Sequence, residues 1–217
     1  RIIREETQYV CGLPHKGCSG NPSPVTAWGT FRGIQSVLKK ITGSDSVRGK
    51  TIAVQGTGSV GSELIKYLFW AGANLIIGDI DQEKVEKLKD QYGAKVLPPG
   101  EILFAECDVL APCALGGILN KDTIPNLRCY AIAGATNNQL LEEEDAKRLL
   151  ERGILYAPDF VINAGGLINV VHEMASSGYN AKSARDQTHQ IYDQLLTIYS
   201  IAERNKLSTH EAAVSLA

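Results

Sequence analysis

An α/β fold is the architecture this sequence predicts: a doubly wound, mostly parallel sheet with helices on both faces, plus C-terminal helices. Three observations predict it. Short apolar runs alternate with stretches of helical periodicity from Pro24 to Ala157. A glycine-rich turn, GTGSVG at 56–61, joins the first such run to the helical stretch after it. From Ser183 the alternation stops, and one long amphipathic helix with a shorter one behind it is expected.

Each element has its own local reason. Val25, Trp28, Phe31, Ile34, Val37, Leu38 and Ile41 fall at helical spacing, and Gly43 ends the run. Lys50 to Gln55 reads as a strand, Ser59 to Ala71 as a helix, and Ala73 to Gly78 as a strand. Gln82 to Tyr92 is a second helix after the turn, followed by strand candidates at Lys95–Leu97, Asp108–Ala111 and Tyr130–Ala133. Leu141 to Arg152 reads as a helix, Ile154 to Ala157 as a strand, and Ser183 to Arg204 as the long final helix. The organisation expected is a linker or hinge over 1–23, a nucleotide-binding domain over 24–182, and C-terminal helices over 183–217 that pack on that domain or on a further lobe. The cluster GCSGNPSP is the hinge candidate.

Composition narrows the classes of partner. The chain has 217 residues, 44% of them apolar and 21% charged, with a formal charge of −2. That balance gives no electrostatic reason to expect nucleic acid or an anionic membrane. Every long apolar run is broken well before the roughly 20 residues a membrane span requires. Five scattered cysteines suit a reducing, cytoplasmic setting better than a disulfide framework. The opening RIIREET does not read as a signal peptide, and a start at Arg1 without Met suggests a fragment.

The glycine turn sits in the context its chemistry requires. Strand TIAVQ runs into Gly56, and a helix starts near Ser59. Gly56 permits the tight turn, Gly58 lets the backbone approach a pyrophosphate, and Gly61 allows close helix–strand packing, as in a Rossmann-type domain. The free N–H groups and dipole of the helix start favour the anion. Asp79 closes the second strand 18 residues after Gly61, near the roughly 20 at which a carboxylate meets the adenosine ribose hydroxyls. Such a carboxylate repels a 2′-phosphate, and IDQEK holds no Arg to neutralise one, so NAD is expected over NADP. The competing reading is a structural turn with a solvated Asp79.

Three further stretches cluster at element ends: SGNPSPVTAWG (19–29), APCALGGILN (111–120), and IAGATNNQL with APDFVINAGGLINV (132–140 and 157–170). With the glycine turn, they resemble the nucleotide-binding part of the leucine/phenylalanine/valine dehydrogenase family, within the glutamate dehydrogenase superfamily. The resemblance runs from REET near the start to the final helices. By that resemblance Thr26 binds the nicotinamide carboxamide, and Gly56, Gly58, Ser59, Val60 and Gly61 form the pyrophosphate loop. Asp79 holds the ribose, Pro112, Cys113 and Ala114 line the riboses, and Asn137 and Asn163 hold the nicotinamide end beside the substrate. Where glutamate-specific relatives carry a serine for the side-chain carboxylate, this chain has Val170, with Leu167 before it. A valine cannot satisfy a buried charge, so the substrate expected is an apolar L-amino acid, leucine or another branched-chain one first, with an aromatic one left open.

The resemblance implies reversible oxidative deamination: amino acid, NAD and water give the 2-oxo acid, ammonium and NADH. It also implies a homo-oligomer. The family's catalytic lysine follows a glycine-rich G-G-G motif in a separate lobe; here neither Gly116–Gly117 nor Gly165–Gly166 is followed by Lys. No catalytic residue is therefore expected in this chain, which alone should bind NAD and turn over no amino acid. The alternative from another class is a non-catalytic nucleotide-sensing module. Cys11, His15 and Cys18 lack a standard zinc spacing, and no metal is expected. Cys113 and His172 read as structural, and the acidic run 142–145 as a helix start favoured by the dipole.

Overall fold

The computed structural model describes residues 6–7, 10–13, 17–175 and 178–216. His15 of the Cys11/His15/Cys18 group lies outside the described residues, as do Arg4 and Glu5 of REET. The elements run α1 (Ser23–Thr42), β1 (Thr51–Gln55), α2 (Ser59–Trp70), β2 (Asn74–Gly78), α3 (Gln82–Tyr92), β3 (Lys95–Val96) and β4 (Cys107–Pro112). They continue with β5 (Cys129–Ile132), α4 (Glu144–Glu151), β6 (Leu155–Tyr156), α5 (Asp159–Ile162), α6 (Gly165–Val171), α7 (Ala181–Asn205) and α8 (Thr209–Leu216).

The six strands form one sheet in the order β3-β2-β1-β4-β5-β6, and every neighbouring pair is parallel. The order reverses between β1 and β4, and at such a switch point the loops beyond the strand ends splay to opposite sides and leave a crevice. Alternation along each strand divides the core in two. Ile52 and Val54 of β1 join Leu75, Ile77, Val109 and Ala111 on the face covered by α1, α2, α3, α7 and α8. Ala53, Ile76, Leu110 and Ile132 face the other way, toward Leu149 of α4 and the short helical turns at Ile102–Phe104 and Ile124–Asn126.

The long helices α1 and α7 pack side by side. Ile34, Val37 and Leu38 of α1 meet Ile191, Leu195 and Ile198 of α7 in the same buried cluster, where truncating one large side chain costs about 2–5 kcal/mol. The Ser36 and Tyr199 hydroxyls share a buried hydrogen bond of 3.3 Å. At the exposed edge Lys40 pairs with Glu203 at 2.7 Å, an ion pair left open to solvent screening. Positive-φ Gly43 ends α1 by returning its N–H to the Lys39 carbonyl.

One departure from the sequence expectation has a local cause. The helix expected over Leu141–Arg152 begins only at Glu144, because Leu140 pairs with Leu119 as an isolated parallel bridge and Leu141 donates its N–H to the Leu119 carbonyl. The stretch APDFVINAGGLINV forms two short helices, α5 and α6, on either side of Asn163 and Ala164. No helix of the described residues is long and apolar enough to cross a membrane.

Candidate functional site

The glycine turn lies where β1 meets β4. Gly56 has φ +97, and a Cβ there would come within 2.9 Å of Ala114 Cβ and the Cys113 carbonyl group. A Cβ on Gly61 would run into the Gly56 carbonyl oxygen, so both positions demand glycine for close approach. Gly58 is different: a Cβ there meets nothing within 4 Å. It caps α2 without any side-chain hydrogen bond to the helix start. Ser59, Val60 and Gly61 thus open the helix with no side chain bonded to their N–H groups, which suits an anion.

Asp79, just past the end of β2, is tied to this turn. Its Oδ2 accepts the Thr57 N–H at 2.5 Å and the Thr57 hydroxyl at 3.1 Å, and its Oδ1 accepts the Asp81 N–H at 3.0 Å. Burial raises its pKa, but the backbone N–H groups of Asp81, Thr57 and Ile80 with the Thr57 hydroxyl outweigh that and hold the carboxyl below the ordinary range. The group is an anion at neutral pH, held in one orientation.

Beside it opens a cleft of about 370 Å³, lined by Gln55, Gly56, Gly78, Asp79, Ile80, Pro99, Ile102, Ala114, Leu115 and Ile118. Ile80 and Leu115 are 86% and 78% exposed. Large apolar side chains left this open beside a carboxylate suit a flat aromatic group next to a polyol. A larger hollow of about 840 Å³ lies at the opposite ends of β4 and β5, around Cys107, Arg128 and Arg152. Ligands of doubly wound sheets gather beyond the carboxyl ends of the strands, and the glycine turn is there, so position outweighs volume.

The other expected residues form two groups joined to the turn. Cys113 stands 3.5 Å from where a Gly61 Cβ would be; burial pushes its thiol up to about 11, with a hydrogen bond to the Ala135 backbone opposing. It is an uncharged wall, not an activated nucleophile. Pro112 is buried, and its carbonyl accepts the Thr136 N–H at 3.0 Å. Asn163 donates its Nδ2 to Asn137 Oδ1 at 2.5 Å and to the Ala135 carbonyl at 3.4 Å. Buried Gln139 fastens that loop from behind, with its Nε2 on the Gly134 and Thr136 carbonyls and its N–H on Asp159 Oδ2.

Thr26 lies in the first turn of α1, its hydroxyl on the Pro22 carbonyl at 3.1 Å. The start of α6 crosses directly against it. A Cβ on Gly166 would collide with Thr26 Oγ1, and one on Gly165 would come within 2.5 Å of the Val25 carbonyl oxygen. The paired glycines are what let the two helices touch. Along α6, Leu167 and Val171 are 68% and 53% exposed, with Val170 half-buried between them. His172 bonds Gln187 of α7 at 2.8 Å. Among the described residues, no group of three or more His, Cys, Asp or Glu could hold a metal ion.

The family model for glutamate/leucine/phenylalanine/valine dehydrogenases matches residues 76–217. The chain belongs to this family. It is 48% identical over its whole length to the leucine dehydrogenase of Thermoactinomyces intermedius, of which it covers 59%. It is 40% identical over 211 residues to that organism's phenylalanine dehydrogenase, covering 57% of it. Among solved structures, the L-tryptophan dehydrogenase of Nostoc punctiforme superposes with a TM-score of 0.88 at 46% identity, over 91% of this chain and 60% of that one. The chain thus spans about three-fifths of the length of the relatives it matches.

Within this dehydrogenase-family domain, three side chains at the cleft escape a reading based on glycine spacing. Thr57 occupies the variable position between the first two glycines, and only the fold aims it at Asp79. Ile80 and Leu115 carry a faint signal, since each is an apolar residue beside polar or small neighbours in GDID and CALGG.

Proposed function

We propose that this chain is the NAD-binding domain of an amino-acid dehydrogenase, with residues 24–182 as its nucleotide-binding core and 183–217 as helices packed on it. In the whole protein the reaction is reversible oxidative deamination of an apolar L-amino acid, leucine or another branched-chain one first, to the 2-oxo acid and ammonium. The observation that carries the reading is the Asp79 carboxylate, fixed by Thr57 beside an apolar cleft and an uncapped helix start.

The residues fit a dinucleotide. The space open at Gly58 admits a pyrophosphate, Ser59, Val60 and Gly61 present N–H groups to it, and Asp79 accepts from ribose hydroxyls while repelling a 2′-phosphate. Ala114 and Cys113 form the neutral wall between the two halves, and Thr26, Asn137 and Asn163 offer neutral hydrogen bonds at the far end. Bound there, the cofactor would supply a hydride acceptor. Leu167 and Val170 would receive the substrate side chain, and neither can satisfy a carboxylate. By the family resemblance the catalytic lysine lies in a separate lobe, and this chain spans about three-fifths of its relatives' length, so in the proposal this chain alone is inactive. The dehydrogenase relatives support the class of reaction; the homo-oligomer and the cytoplasmic setting belong to the same proposal.

Calorimetric titration with NAD and NADP, on the parent and on Asp79→Ala, tests the reading. NAD preferred by the parent and not by the variant supports it. A parent that binds neither, or prefers NADP, refutes it.

A further inference from the structure

We propose that Glu173 is a positioning residue for the substrate side of this domain: it clamps the chain around Gly12 and Ser19 onto the end of α6, and so sets the distance between Thr26 and the Leu167–Val170 wall. The inference rests on the reading above, which puts Thr26 at the nicotinamide end of the cofactor and the Leu167–Val170 wall at the substrate side chain.

Glu173 sits in the single helical turn His172–Met174 that continues α6. One of its oxygens, Oε2, accepts three hydrogen bonds: from the Gly12 N–H at 2.9 Å, the Ser19 N–H at 3.0 Å and the Ser19 hydroxyl at 2.7 Å. The donors lie 161 and 154 residues away in sequence. Charge-assisted bonds of this kind are roughly twice as strong as neutral ones. A second contact comes from the same helix. Asn169 is fully buried, donates its Nδ2 to the Ser19 carbonyl at 3.3 Å, and is itself held by the Tyr179 hydroxyl at 2.7 Å. Ser19 is therefore gripped at its N–H, its carbonyl and its hydroxyl, all from α6 and the turn after it.

That grip passes directly to α1. Three residues after Ser19, the Pro22 carbonyl accepts the N–H groups of Val25 and Thr26 and the Thr26 hydroxyl. The N-cap residue Pro22 offers no side-chain hydrogen bond, and Asn21 Oδ1 takes the Ser23 N–H at 3.0 Å, so the first turn of α1 is held by the segment that Ser19 anchors, together with the packing of Gly165 and Gly166 on Val25 and Thr26. Local propensity cannot supply that placement, because Gly12 and Gly20 both have positive φ and large unfolded freedom. On the other side, Leu167 and Val170 lie on the helix that carries the clamp. The carboxylate thus joins Thr26, at the proposed nicotinamide end, to the proposed substrate wall while standing outside both.

The test compares Glu173→Gln, Glu173→Ala and the milder Ser19→Ala in the full-length protein carrying this chain. Calorimetry reads NAD affinity, steady-state kinetics reads KM and kcat for leucine, and amide exchange reads Gly12 and Ser19. A misplacement of about 1 Å can cost up to about a hundredfold, so KM for leucine is expected to rise about tenfold in Glu173→Ala with a smaller change in kcat. NAD affinity falls by no more than about threefold, because only the Thr26 contact shifts while Asp79 and the glycine turn hold the rest of the cofactor, and protection at Gly12 and Ser19 is lost. Glu173→Gln, which keeps one acceptor oxygen, falls between. A merely structural role would lower NAD affinity and leucine binding in step with thermal stability, and that result overturns the proposal. So does an unchanged KM once the amides have lost protection. A parent protein that turns over no apolar amino acid overturns the functional reading itself, an outcome distinct from an active parent whose KM ignores Glu173.

Discussion

Thr57 and Asp79 are joined twice, through the Thr57 N–H at 2.5 Å and its hydroxyl at 3.1 Å, both on the same carboxylate oxygen. The glycine turn after β1 and the acid after β2 are therefore one rigid unit. The backbone bond survives substitution, but Thr57→Val removes the hydroxyl at nearly constant volume. Thr57 is fully buried, so the loss is expected to cost about 1 kcal/mol of stability and to weaken NAD binding severalfold by loosening Asp79. Thermal melts and calorimetry on the same preparation check both. Unchanged NAD affinity would mean that the turn, not the hydroxyl, orients the acid.

Asp79→Ala removes the charge as well. Hydrogen bonds from ribose hydroxyls to a carboxylate contribute about 1.5–3 kcal/mol, so NAD affinity should fall by about one to two orders of magnitude. NADP, which the carboxylate repels, should bind no worse than before. The ratio of the two dissociation constants is the decisive quantity.

Gly58 and Gly61 separate binding from folding. At Gly61 a Cβ meets the Gly56 carbonyl oxygen, which must shift, so Gly61→Ala is expected to destabilise by about 1–3 kcal/mol and to lose NAD binding with it. At Gly58 the backbone has φ −66 and the space is open. Gly58→Ala should leave the melting temperature nearly unchanged and still weaken NAD binding, because in the proposed binding mode the methyl fills the space the pyrophosphate approaches through. Retained affinity in Gly58→Ala would place the pyrophosphate elsewhere.

Ile80 is 86% exposed, so its side chain adds little to the core. Ile80→Ala should change stability by less than about 0.5 kcal/mol, while dinucleotide affinity drops severalfold through lost apolar contact at the cleft mouth. ADP-ribose, which keeps the adenosine half, should show the same drop. A loss confined to NAD would place Ile80 at the nicotinamide end instead.

What the sequence makes legible and what it hides differ in physical origin. Runs such as IAV and LII carry their period in themselves, and β1 and β2 appear within a residue of where the pattern puts them. Glycine spacing likewise marks the turn, because backbone constraints act over a few residues. The short helices α5 and α6 are hidden: NAGG breaks the helical period, and α6 owes its place to Gly165 and Gly166 packing on Val25 and Thr26, about 140 residues away. The late start of α4 has the same character, since Leu140 and Leu141 are drawn off by Leu119. Thr57 and Glu173 are hidden for a third reason, as single polar side chains whose partners are set only by the completed fold.

The Glu173 carboxylate also predicts a pH dependence whose sign follows from its donors. Burial raises its pKa, but the Gly12 N–H, the Ser19 hydroxyl and N–H and the Cys18 thiol prevail and bring it from the ordinary 4.5 down to about 2. A carboxyl whose folded pKa is depressed binds fewer protons when folded, so it stabilises the fold fully above its ordinary pKa and loses that contribution as pH falls toward the folded one. Asp79 is depressed as well, but it is common to the parent and to Glu173→Gln and cancels in their comparison. The gap in melting temperature between the two proteins should therefore be constant from pH 7 to about 5 and close progressively between 4.5 and 2. Calorimetric melts across that range, at fixed ionic strength, measure it. A gap that persists unchanged at pH 2 would assign the clamp to packing at the end of α6 and not to the charge on Glu173.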